Sequence, residues 1–375
     1  MIRSPISILV VDDEPDEQRA LAIAIGPDVN TRVIHPNDVV VDDLETNLIL
    51  VDFRLPDWPE RDALESVALK PMNGLALAAV LRVHADERKR GRPTAIALHS
   101  AHIPDIAPGL PPEYREHAIA RANNLEWVFQ KVQVDPQTSI AKRAVSLASA
   151  VAALPDVWPK DDADDTQRIV NKLLDVVGRA WERRAWEDIQ ACHPPIHDLS
   201  QPSHGLAFLR WFLHRIIPYP CFLWDNVWLA ARLRVTPASL TAALAENSKV
   251  TDVLAEVRYT GILQDFHGDR WWRSGVEALI WRLTDGNAFE PDAIREALAD
   301  SSGATLEAVP QAQPYVCIDE RYQAMQDFSD ASAVVEVQPD DWPPYADQAW
   351  TTIELAQSND AVGALVIEQD RHKLS

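Results

Sequence analysis

The chain has 375 residues, room for two or three domains with sizeable cores, and its 47% apolar content is ordinary for a soluble globular protein. Its net charge of −22 disfavours non-specific adsorption to nucleic acid or to an anionic membrane. Cys192, Cys221 and Cys317 show no CxxC spacing, no apolar signal segment opens the sequence, and no run reaches the ~18 apolar residues of a membrane span; a reduced, cytoplasmic protein without a membrane partner is expected.

Residues 6–11 form a short apolar run ending in acids, the pattern of a buried parallel strand. Residues 14–25 follow at helical spacing, with Leu21 and Ile25 on one face. A second strand is expected at 31–34, and residues 48–51 form a third apolar run that ends in Asp52. A helix is expected over 73–90, a strand over 94–98 ending at His99-Ser100, and a helix over 112–122. Residues 125–130 read as a strand ending at Lys131, and 138–153 as a strongly apolar helix. Strands alternating with helices imply an α/β domain over 1–155 with a doubly wound parallel sheet of five strands.

The acidic stretch 156–165 reads as a linker. A long amphipathic helix is expected over 166–193, with further helices at about 204–217, 222–233, 237–246, 249–257, 273–284 and 290–300. Residues 166–300 thus form a mainly α-helical output region. A second linker is expected at 301–314. Residues 315–375, with runs at 334–337 and 364–367, read as a small α+β segment.

The chemistry gathers at strand ends. Asp12 and Asp13 close the first expected strand, Asp52 the third, Ser100 the fourth and Lys131 the fifth. In a parallel sheet all carboxyl ends lie along one edge, where such folds bind ligands. Clustered carboxylates repel one another unless a hard cation sits among them, and Mg2+ prefers oxygen ligands. An aspartate there can be the nucleophile of a phosphoryl transfer, with an ammonium and a hydroxyl bonding the transferred oxygens.

ILVVDDEP at 8–15, LILVDFRLP at 48–56, PMNGLALAAVLR at 71–82, HSA at 99–101 and Lys131 follow the order of response-regulator receiver domains, which residues 6 to about 153 resemble. The resemblance implies a flavodoxin-like fold and a two-component phosphorelay role, with Asp52 as the phosphoacceptor. Asp12, Asp13, Asp52 and the backbone carbonyl of Arg54 would hold Mg2+, Ser100 would be the switch hydroxyl, and Lys131 would pair with the phosphate. It also implies a histidine kinase or phosphotransfer protein as partner. Two departures stand out: residues 57–70 intrude between Pro56 and Pro71, and Val132 follows Lys131 where the family has proline.

Elsewhere the signals are weaker. Residues 229–244 resemble a helix-turn-helix, with Thr236 as cap and Pro237 at the first helical position. A transcriptional regulator using 229–247 is the alternative function. Residues 237–247 contain no Lys or Arg, so a structural hairpin is the stronger reading and nucleic acid is not the expected partner. The Trp-Arg pairs at 270–273 suit a core or a protein-binding face. The output is therefore expected to act through contacts with an unidentified protein, or through a homodimer, and no enzymatic motif is visible outside the receiver-like region. His193, His197, His204 and His214 lack regular ligand spacing with Cys192 and read as structural. His99 reads as a packed or solvated histidine, with charge sensing the lesser reading.

Overall fold

The computed structural model describes residues 5–56, 58, 71, 73–87, 93–101, 106, 116–131, 139–159, 162–199, 205–246 and 248–374. The chain divides into two compact units interleaved in sequence. The first takes in Met1–Asp175, Pro194–Arg215 and Gly261–Gly268; the second takes in Val176–His193, Ile216–Thr260 and Asp269–Ser375. No helix among the described residues is long and apolar enough to cross a membrane.

In the first unit β1 (Ser7–Val11), α1 (Arg19–Ile25), β2 (Asn30–Ile34), β3 (Leu48–Asp52), α2 (Gly74–Glu87), β4 (Ala95–Ser100), α3 (Glu116–Ala122), β5 (Trp127–Gln130), α4 (Ile140–Ala153) and α5 (Ala163–Leu173) follow one another. The five strands pair in parallel in the order β2-β1-β3-β4-β5. β3 and β4 are buried along their whole length. Unbroken Val, Ile, Leu and Ala runs suit strands covered on both faces. One face carries Leu9, Val11, Ile49, Val51, Ile96, Leu98 and Val128, packed against Leu77 and Leu81 of α2 and Ile119 of α3. By the two-residue period of a strand, Leu50, Asp52, Ala97, His99, Trp127 and Phe129 lie on the opposite face. There α4 packs on β1, β3 and β4, and α1 packs on α4.

Several helices depart from expectation, among them that expected over 222–233, which begins only at Asn226 after a strand at Leu223–Trp224. Residues 15–18 make a tight turn and α1 begins only at Arg19, with none of its side chains fully buried. The single helix expected over 166–193 is broken: α5 ends at Leu173 and α6 (Glu182–Ala191) begins after a turn. In that turn Asp175 (φ 56°) and Gly178 (φ 78°) take left-handed conformations that no α-helix admits. Residues 156–165 contain Trp158, 4% exposed, and Asp162, whose side chain caps α5.

β5 is an edge strand, and the first unit's later segments cover it. Phe266, wholly buried, meets the Trp127 ring edge-on at 4.9 Å and the Phe129 ring at 6.2 Å. The Arg143 guanidinium lies 5.2 Å over Trp127, 5.5 Å over Phe129 and 4.9 Å over Phe266, and it pairs with Glu116 at 2.9 Å. Glu126, just before β5, is fully buried, paired with Arg82 at 2.8 Å and Arg210 at 2.6 Å. Its burial raises the carboxyl pKa, but the two arginines and the Ile96 N–H overcome this and hold it below the ordinary value.

In the second unit β6 (Leu223–Trp224) pairs with β7 (Trp271–Trp272), with α7 (Asn226–Leu233), α8 (Pro237–Glu246), α9 (Ser248–Ala255), α10 (Arg273–Leu283) and α11 (Pro291–Ser302) around them. Leu229, Leu233, Leu240, Leu254, Trp271 and Leu279 belong to its core. A sheet in the order β10-β11-β8-β9 follows, built from β8 (Tyr315–Ile318), β9 (Ala324–Ser329), β10 (Val334–Val337) and β11 (Ala349–Thr352). Residues 364–367 form no strand; Val366 makes a single bridge to Val337. Thr236 accepts the Ser239 N–H at 3.3 Å, as expected of a cap, and the turn before it holds Arg234 at φ 63°. The exposed side chains of α8 are Ala238, Thr241, Ala242, Ala245 and Glu246.

Candidate functional site

The parallel register brings the strand ends to one level. Val11 lies opposite Val51, Asp52 opposite His99, and Ser100 opposite Gln130. Asp12 and Asp52, each next after one of that first pair, therefore meet at the carboxyl edge, and Lys131 follows the last residue of β5. One oxygen from each of Asp12, Asp13 and Asp52 can be chosen so that all three lie within 4.8 Å of one another. The three residues are 3%, 8% and 7% exposed. Lys131 Nζ is 2.6 Å from Asp52 Oδ1 and 3.7 Å from Asp12 Oδ2. Asp12 is held from below: it accepts the Glu14 N–H at 2.8 Å and the Gln18 side-chain amide at 2.7 Å.

The loop after β3 is fixed by close packing. Phe53 N–H donates to His99 O at 3.2 Å, and Gly74 N–H donates to Phe53 O at 2.9 Å. A Cβ on Gly74 would sit 1.9 Å from Asp52 O, so no larger residue lets α2 start there. Ser100, 3% exposed, ends β4 at the same edge, and Lys131 N–H donates to Ser100 O at 2.6 Å. Arg54 follows two residues after Asp52 with its side chain exposed.

Burial is the largest influence on Asp52 and raises its pKa to about 6, against the lowering hydrogen bond and charge of Lys131; the charges of Asp12 and Asp13 raise it further. Asp12 and Asp52 share the Lys131 ammonium, and the donor atoms of the three-acid cluster are all oxygen. That set fits a hard divalent cation such as Mg2+, and other hard ions too. His99 is buried, with no hydrogen bond to its Nδ1 among the described residues. Burial first, and the Lys131 charge second, lower its pKa to about 3, so the ring is neutral at physiological pH. Of the two expected settings, packed or solvated, the ring has the packed one.

Asp12, Asp13, Asp52 and Lys131, expected from sequence to converge, do so. Sequence reasoning missed Gln18, which grips Asp12, and the close approach of Gly74; the Asn73-Gly74 pair before an apolar helix was the available signal for the second. Apart from Trp58, whose indole N–H donates to Asn37 at 2.7 Å, the 57–70 intrusion lies outside the described residues, as do Val132 and His204.

Strand order, helices on both faces and acids at the carboxyl edge define an α/β protein compatible with the flavodoxin-like fold. The chain matches no protein-family model, and neither curated proteins nor solved structures yielded a match.

Proposed function

We propose that the first unit is a receiver-type switch in two-component signalling, phosphorylated on Asp52 by a histidine kinase or phosphotransfer protein. The observation that carries this is the buried Asp12–Asp13–Asp52 cluster with Lys131 Nζ 2.6 Å from Asp52 Oδ1. In the transfer an Asp52 oxygen attacks phosphorus as the phosphorus–nitrogen bond of the donor phosphohistidine breaks; the imidazole leaves, and Asp52 becomes an acyl phosphate. Lys131 would move from the carboxylate to a phosphoryl oxygen, and Ser100 would bond another. Asp12, Asp13, Asp52 and the Arg54 carbonyl would hold Mg2+, which would neutralise the phosphoryl oxygens. Burial first, and then the charges of Asp12 and Asp13, disfavour the bare Asp52 anion, and a bound cation would relieve this.

The output in this reading runs through protein contacts of the rest of the chain, including a possible second copy. The exposed face of α8 carries no cation, which weighs against the transcription-factor alternative. The test is incubation with acetyl phosphate and Mg2+, read by intact mass, on the full chain and on Asp52→Ala. A gain of one phosphoryl group in the wild type and none in the variant is expected. No gain in the wild type, or equal gain in both, sinks the proposal.

A further inference from the structure

His99 is the cross-strand neighbour of Asp52, joined to the same loop through the Phe53 N–H. It lies on the same face of the sheet, because Ile96 and Leu98 occupy the other. The Lys131 ammonium sits on Asp52, 2.6 Å from its Oδ1. It is only 5% exposed, and no hydrogen bond reaches its Nδ1 among the described residues. Leaving a buried polar atom unpaired is unfavourable, and a leucine here would fill the space without that penalty. The remaining strand positions on this level are apolar or already paired, so packing alone gives no reason for an imidazole.

We infer that His99 is a phosphoryl-contact residue, a donor whose missing partner is an oxygen of the tetrahedral group on Asp52. This rests on the receiver reading above. A phosphoryl group on Asp52 presents three oxygens, and Lys131, Ser100 and the cation account for charge neutralisation and one hydroxyl contact. An imidazole N–H adds a directed bond to an anion in a site that already holds an ammonium and would hold a divalent ion. Such a bond favours a tetrahedral oxyanion over the bare carboxylate and leaves cation binding untouched.

The experiment measures binding of beryllium fluoride, a phosphoryl mimic, to the full chain in excess Mg2+, by 19F NMR titration, together with Mg2+ affinity alone. His99→Leu keeps the volume and removes the nitrogens; His99→Gln restores a donor. For His99→Leu, beryllium fluoride affinity falls about 10- to 100-fold while Mg2+ affinity and melting temperature stay near wild type. His99→Gln recovers part of the loss. Wild-type affinity in His99→Leu overturns the inference, as does parallel loss of Mg2+ and beryllium fluoride binding, which marks a structural role. If the wild type itself binds no beryllium fluoride, the receiver reading and this inference fall together; a wild type that binds alongside an unaffected His99→Leu removes the inference alone.

Discussion

Asp52 is an acid made uncomfortable by its surroundings, and the direction of that discomfort sets a pH signature. In the folded chain its carboxyl keeps a proton up to about pH 6, in the unfolded chain only to about 3.8. Its contribution is therefore fully present below pH 3.8 and is lost as the pH rises through 6. By linkage the loss across that window is about 3 kcal/mol. Asp52→Asn, neutral throughout, should gain stability relative to wild type by about that amount between pH 4 and pH 7, measured by urea denaturation. A constant difference across that range contradicts the assigned pKa. His99 and His214, held near 3 and 4 by burial, act oppositely: their contributions are present above pH 6.5 and shrink as acid is added. They are common to both chains and cancel in the comparison. Mg2+ should reverse the slope by favouring the anion, and raise the melting temperature of the wild type at pH 7 more than that of Asp52→Asn.

At the scale of elements, the tightest constraint is the start of α2. Gly74 brings this helix onto the backbone of Asp52, so the strand that carries the acceptor and the helix after it share one van der Waals surface. Gly74→Ala must push the Asp52 carbonyl aside. A loss of about 1–3 kcal/mol is expected, as for other overpacked sites, with slower acetyl-phosphate labelling. Unchanged stability and labelling would show that the loop yields freely. Such approaches are hard to read from sequence, because they depend on three-dimensional register. The strands themselves were legible: β1, β3 and β4 are built on apolar runs, and each ends in a site residue or, for β1, just before one. The split of the expected 166–193 helix was not, since α5 and α6 both keep helical periodicity and only Gly178 marked the turn between them. His99 was visible as a residue, but its missing partner is a property of burial.

For the whole molecule, the interleaving of the two units matters most. Phe266, Arg210 and His214 all serve β5, yet they are remote from it in sequence; His214 Nε2 lies 2.8 Å from the Glu126 carbonyl oxygen. Sequence reasoning follows contiguous segments, so it had no means of assigning Gly261–Gly268 to the first unit. A fragment of residues 1–155 loses all three. It leaves Trp127 and Phe129 without Phe266, and Glu126 with Arg82 as its one remaining arginine. Breaking a buried ion pair of this kind costs about 3–5 kcal/mol. The fragment should melt about 6–20 °C lower than the full chain, given about 2–4 °C per kcal/mol for a domain of its size, and bind a hydrophobic dye. A fragment that melts as cooperatively and as high as the full chain would show that the downstream segments are dispensable.

The same long reach in sequence has a meaning during synthesis. Phe266 is made 137 residues after Phe129, which at bacterial or eukaryotic ribosome speeds is roughly 7–30 s. Throughout that interval the edge strand is exposed, aromatic and ready to pair with another nascent chain, so chaperone depletion should harm this protein's yield more than its stability once finished.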